Sequence, residues 1–286
     1  MAYEAVPDAH EAVPNMHEAG TAMRKPLHLL GVRVDDVTTA EVCARVAEWI
    51  RQGGIHQIAT VNPEFIMMAQ THAKFREALS NTALNVPDGI GVLWAARQLG
   101  RPLRERVAGV DLMQQLCALA AQNHWPVFFL GAAPGVAEYA AALLAYKYPG
   151  LKVAGAHAGS PRIEDEMEIV RKVRKAAPRL LFVAYGAPAQ DQWLTRNLPL
   201  LMPAHASQDS QSPSGSQPSP GLVGMGVGGA LDFVTGRQQR APEWMQRAGL
   251  EWFHRLLQQP QRWRRQLALP RFAARILLES FRARNR

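Results

Sequence analysis

Six short runs of apolar, β-favouring residues recur along the chain, and each ends in a cluster of Gly, Pro, Asn or Asp. They are Gln57 to Thr60, Ala83 to Val86, Val127 to Leu130, Leu151 to Ala156, Leu180 to Tyr185 and Leu222 to Val227, with helical spacing between them. Strands that alternate with helical patterns predict parallel pairing, because a return to the same end of a sheet needs a crossover long enough to hold a helix. The expected fold class is therefore α/β, a Rossmann-like, mostly parallel sheet flanked by helices. In such open sheets ligands bind outside the carboxyl ends of the strands, so the turn clusters should converge on one site.

The segments outside this pattern divide the chain. Residues 1–26 carry a near-repeat, EAVPDAH then EAVPNMH then EAG, whose prolines exclude a coiled coil; a flexible leader is expected. Ala204 to Pro220 is rich in Ser, Gln, Pro and Gly, the composition of a disordered surface insertion within an α/β catalytic domain spanning 27–236. From Arg237 to Arg286 the pattern is helical, interrupted by Pro260 and Pro270 and rich in Trp, Leu and Arg. That segment holds twelve arginines against three glutamates, +9, so the rest of the chain carries −1 of the net +8. A near-neutral body with a basic helical appendage implies an anionic partner for the appendage: phosphate, lipid or nucleic acid.

Composition narrows the setting. No run approaches the roughly 18 apolar residues of a membrane span, and the acidic N-terminus is unlike a secretory signal. Cys43 and Cys117 fit neither a metal-ligand spacing nor a disulfide framework. A cytoplasmic protein, soluble or peripheral, is expected, with no metal and no cofactor; homo-oligomerisation is left open.

Four strand ends carry candidate chemistry. In Thr60-Val61-Asn62-Pro63-Glu64, Asn62 suits a helix N-cap and Pro63 the first helical position, while Thr60 should turn its hydroxyl to the crevice. In Val86-Pro87-Asp88-Gly89-Ile90-Gly91, Asp88 is either a turn residue or a carboxylate aimed into the crevice, where it could take a proton from a sugar hydroxyl. Gly131 and Gly135, in Phe129-Leu130-Gly131-Ala132-Ala133-Pro134-Gly135, could present backbone N–H groups to a diphosphate, although the Lys-Ser/Thr ending of a Walker loop is missing. Gln190, in Gly186-Ala187-Pro188-Ala189-Gln190-Asp191-Gln192-Trp193, is a substrate contact or a helix cap. Gly224-Met225-Gly226-Val227-Gly228-Gly229 resembles a dinucleotide fingerprint only loosely. No Asp-x-Asp is present to chelate a metal on a nucleotide diphosphate, so arginines or backbone amides would have to meet the leaving-group charge.

Taken in order, VNPE (61–64), PDGIGV (87–92), ERVAGVDL (105–112), FLGAAPGVAE (129–138), YPGLKV (148–153), GAPAQDQW (186–193), GVGGALDFVTG (226–236) and RAPEWMQRAGLEWFHRL (240–256) resemble the WecG/TagA/CpsF glycosyltransferases, glycosyltransferase family 26. The resemblance implies a metal-independent, inverting transfer from a UDP-sugar to a polyprenyl-diphosphate-linked sugar in surface polysaccharide synthesis, at the inner face of the cytoplasmic membrane. On matching positions it implies Asp88 as base, Thr60 and Asn62 as orienting groups, Arg106 toward diphosphate or donor, and Gln190 on the sugar; Gly228, within its GVGG motif, is a further substrate-binding candidate. It further implies that the appendage binds an anionic membrane surface and completes the site, a role that Arg255, Arg262 and Arg265 fit. These three would share one helical face if Pro260 only kinks the segment. Pro188-Ala189-Gln190-Asp191 departs from the family's common Pro-Lys-Gln-Glu, and His157-Ala158-Gly159-Ser160 from its common aromatic. The donor sugar is thereby left open among N-acetylmannosamine, its uronic acid and glucose. Against this stand a non-enzymatic binder of anionic polymer or nucleic acid, using the arginine appendage, and a nicotinamide-dependent oxidoreductase. The transferase reading expects no nucleic-acid partner.

Overall fold

A computed structural model describes residues 24–202, 220–247 and 250–284. The leader and the insertion lie outside the described residues, apart from 24–26 and Pro220. All six expected strands form. A two-stranded hairpin that the reading above did not anticipate precedes them: β1 (Leu27–Leu29) and β2 (Val32–Val34) pair antiparallel. Leu30 and Gly31 between them have φ of 50° and 81°, the two left-handed positions of a type I′ turn. Leucine at the first of these hid the turn.

The chain then runs α1 (Thr39–Gln52), β3 (Ile55–Val61), α2 (Pro63–Ala69), α3 (Ala73–Ser80), β4 (Leu84–Pro87), α4 (Ile90–Gln98), α5 (Gly109–Asn123) and β5 (Pro126–Gly131). It continues through α6 (Val136–Lys147), β6 (Lys152–His157), α7 (Ile163–Ala176), β7 (Leu180–Ala184), α8 (Ala189–Asn197), β8 (Leu222–Gly226) and α9 (Ala230–Val234). The sheet is six-stranded and wholly parallel, in the order β4-β3-β8-β7-β5-β6. Both faces are covered, which is why β7 and β8 read as continuous apolar runs rather than alternating ones. Val46 of α1, Leu116 of α5 and Leu144 of α6 pack on one face; Val173 of α7 and Trp193 and Leu194 of α8 pack on the other.

Two glycines of β8 are explained by this packing. A Cβ on Gly224 would meet the Leu194 and Leu198 side chains at 2.7 and 2.8 Å, and one on Gly226 would meet Gln190 Nε2 at 2.6 Å. They lie two residues apart on one face and let α8 close onto the strand. The loose dinucleotide fingerprint thus begins inside a strand, where its first two glycines serve helix packing.

Beyond α9 come four further helices, α10 (Glu243–Arg247), α11 (Glu251–Gln258), α12 (Trp263–Gln266) and α13 (Ala268–Arg284). Pro260 ends α11 and opens a short 3-10 turn over Pro260–Arg262. The condition for a shared arginine face, that Pro260 only kink the segment, is not met: proline has no N–H to donate and its ring crowds the preceding turn, so Arg255 and Arg265 fall on separate helices. Pro270 instead sits in the first turn of α13, where no intrahelical N–H is required. α13 docks on the body by burying Phe272 and Ile276 in a cluster with Phe65, Ile66, Val92 and Ala96 of α2 and α4. Ser280 Oγ donates to Gln98 O at 2.8 Å.

Candidate active site

The β3–β4 register brings two strand ends together. Thr60 pairs with Val86 and Val61 with Pro87, and Asp88 N donates to Val61 O at 2.8 Å. Asn62 caps α2, its Oδ1 accepting from Phe65 N at 3.0 Å with Pro63 at the first helical position. Val107 N donates to Pro87 O at 2.9 Å, which draws Arg106 alongside Asp88. Gly109 opens α5 hard against both: a Cβ there would stand 3.0 Å from Thr60 Cγ2 and 3.4 Å from Asp88 Oδ2.

Asn62, Asp88, Arg106 and Gly109 face a cavity of about 500 Å³. The body contributes Asn62, Asp88 and Arg106; the C-terminal helices and the segment before them contribute Arg240, Glu251, His254 and Arg255, with Trp94, Phe233 and Trp252 as apolar walls. Asp88 opens partly to the cavity and is otherwise enclosed by protein. Burial pushes its carboxyl up to about 6; Arg106 and the Gly109 N–H pull it down, Glu251 pushes it up and Arg255 lowers it again. It is thus ionised near neutral pH yet far more basic than an exposed aspartate. Arg255 crosses the Phe233 ring at 5.3 Å, close enough to Gly229 that a Cβ there would meet Nη2 at 2.8 Å. Burial holds its guanidinium below the usual arginine value. Arg106 Nη2 donates to Glu251, and Arg240 reaches both Glu251 and Asp111.

The other predicted residues lie elsewhere. Thr60 is buried, packing its methyl behind Gly109, and is not among the groups lining the cavity. Gln190 is buried at the ends of β7 and β8, where its Oε1 accepts from Gly186 N at 3.1 Å and Gly228 N at 2.9 Å. The Gly228 N–H is therefore engaged with Gln190. Gly131 closes β5 with φ of 106°, so near β7 that a Cβ would meet the Ala184 carbonyl carbon at 2.7 Å; Gly135 precedes α6 with open space around it. Arg265 lines a separate cavity of about 480 Å³ with Glu64, Met67, Arg271 and Arg275, and the Arg262 side chain lies outside the described residues. The structure thus gathers Asn62, Asp88, Arg106 and Arg255, with Thr60 behind them, and leaves the remainder at other strand ends or outside the cavity. Arg240, Glu251 and His254 went unnoticed as site residues. Arg240 and Glu251 lie within the RAPEWMQRAGLEWFHRL segment, but Glu251 reads there only as one of three acids in a basic tail.

A desolvated carboxylate ringed by arginines, at the carboxyl ends of a parallel sheet, suits an enzyme that moves a group between phosphate-bearing substrates. Residues 27–207 and 216–286 match the glycosyl transferase WecG/TagA/CpsF family, and the chain belongs to that family. It is 32% identical over 222 residues, 78% of this chain and 79% of the relative, to the N-acetylglucosaminyldiphosphoundecaprenol N-acetyl-beta-D-mannosaminyltransferase of Bacillus subtilis (strain 168). Proteins of the same name from Bacillus spizizenii and Staphylococcus aureus (strain MW2) are 32% and 31% identical, over 88% and 87% of this chain and 90% and 91% of theirs. The chain is a glycosyltransferase of glycan biosynthesis, and the binder and oxidoreductase readings give way.

Proposed function

We propose that this enzyme transfers N-acetylmannosamine, its uronic acid or glucose from a UDP-sugar to a sugar carried on polyprenyl diphosphate. The observation that carries this reading is Asp88, raised to about 6 and open to a cavity that also holds Arg106, Arg240 and Arg255. In the reaction, an acceptor hydroxyl gives its proton to the Asp88 carboxylate as its oxygen bonds to the anomeric carbon. The bond from that carbon to the diphosphate oxygen breaks, and its electron pair leaves with UDP. A single in-line displacement inverts the anomeric centre. Arginines carry the leaving charge in place of a metal, a role favoured by their persistent charge and forked donors. Asn62 borders the cavity as helix cap and orients substrate, and Thr60 supports Asp88 from behind.

Residues 237–286 form the membrane-facing appendage of this proposal. Among the described residues no helix is long and apolar enough to cross a membrane. Trp252, Phe253, Trp263, Leu267 and Leu278 are nonetheless exposed beside arginines, as suits an anionic surface at the inner face of the cytoplasmic membrane. The test is UDP release from UDP-N-acetylmannosamine with N-acetylglucosaminyl-diphosphoprenol as acceptor. Absence of turnover with this donor, its uronic acid and UDP-glucose alike would overturn the reading.

A further inference from the structure

We propose that Arg106 and Arg240 together form the seat for a substrate phosphate, and that the Glu251 carboxylate holds this seat while it is empty. The proposal rests on the reading of the chain as a transferase of diphosphate-bearing substrates. Three distant parts of the chain meet here: the loop before α5, the segment after α9 and the first turn of α11. Arg106 Nη2 donates to Glu251 Oε2, and Arg240 Nε lies 3.5 Å from Glu251 Oε1. Arg240 is braced from behind, since Nη1 and Nη2 both donate to Asp111, at 2.7 Å for Nη2 to Oδ2. Its Nε edge is what faces Glu251.

Two arginines converging on the two oxygens of one carboxylate reproduce the way such forks grip a phosphate. The Glu251, Arg106 and Arg240 side chains are 26%, 23% and 32% exposed, so an incoming anion can reach them without unpacking the core. A second observation points the same way. Arg106 Nε is buried with no hydrogen-bond partner among the described residues, a donor left over after Glu251 has been served. Glu251 brings two oxygens and one negative charge; a diphosphate brings more of both and can satisfy that donor as well. Glu251 thus keeps the two arginines from repelling each other in the empty cavity and yields to the substrate. Arg240 becomes a substrate-binding residue, and Glu251 a competitor of the phosphate rather than a simple tie between helix and body.

Calorimetric titration of the full chain with inorganic pyrophosphate at neutral pH tests this through the sign of two changes. Arg240→Ala should weaken binding about tenfold or more, the loss expected for a charge-assisted hydrogen bond. Glu251→Gln keeps the size and an acceptor oxygen for Arg106 but drops the competing charge, so it should bind pyrophosphate about threefold more tightly, within the range of a partly exposed ion pair. Arg240→Gln, with an unchanged melting curve, replaces the alanine variant should that one fail to fold. Glu251→Gln that binds as the parent does or more weakly, or pyrophosphate that binds neither protein at millimolar concentration, overturns the proposal. Transfer and pyrophosphate binding separate the two levels. Absent transfer with the expected binding changes sinks the proposed function alone, whereas normal transfer with unchanged binding sinks the phosphate seat alone.

Discussion

Asp88 and Asp191 are both strand-end carboxylates, one following β4 near an edge of the sheet and the other in the first turn of α8 after β7. Burial raises both, Asp88 to about 6 and Asp191 to about 7. Their surroundings differ. Asp88 opens to a cavity and feels Arg106, Arg255 and the Gly109 N–H, whereas Asp191 is fully buried and no donor among the described residues completes a hydrogen bond to either carboxylate oxygen. The Gln190 side-chain amide and the Asp191 backbone N–H lower it somewhat, far less than burial raises it. A raised carboxyl is therefore not enough to mark a base. Access and nearby cations distinguish the group that can exchange a proton with substrate from the one sealed between α8 and β8.

The largest expected effect lies on the first carboxylate. Asp88→Asn should lower turnover by about 10²–10⁴-fold with little change in UDP affinity, while Asp191→Asn should stay within about tenfold of the parent. Equal losses in two folded variants would erase the distinction. Next in size is the pH profile. A base raised to about 6 must lose its proton before it can work, so kcat/KM should fall about tenfold per pH unit below 6 and level off above it. A limb near 4 would mean that Asp88 is not desolvated as described.

Stability sharpens the contrast from the other side. A carboxyl raised in the fold binds its proton more tightly there than in the unfolded chain, so its cost to stability is absent below about pH 4 and complete above about 7. Asp191→Asn should accordingly raise Tm by about 5 °C at pH 8 and much less at pH 5, as seen in paired melting curves. No pH-dependent gain would mean that Asp191 has a partner in solution. The smallest expected effect is none: under the proposal that arginines meet the leaving charge, transfer in excess EDTA should match the untreated rate. Activity lost to chelator and restored by Mg²⁺ would reverse that assignment.

The sequence by itself determined the sheet. Each parallel strand is a local apolar run, and burial on both faces makes it legible without knowing its neighbours. The hairpin escaped because Leu30 occupies a turn position usually marked by Asn or Asp. Asp88, Asn62 and Arg106 were also within reach, since strand-end position and the ordered motifs single them out. What only the tertiary structure decided is which groups share a space. Strand order sends Gln190 to an interior bridge between Gly186 and Gly228 while β3–β4 pairing sets Asn62 beside Asp88, and neither outcome follows from spacing along the chain. Pro260 divided the appendage, so that Arg255 enters the cavity and Arg265 does not. Glu251, more than 140 residues from Arg106, meets it through packing alone. Local patterns report burial and turns because those depend on near neighbours; ion pairs and cavities depend on contacts made only once the helices have docked.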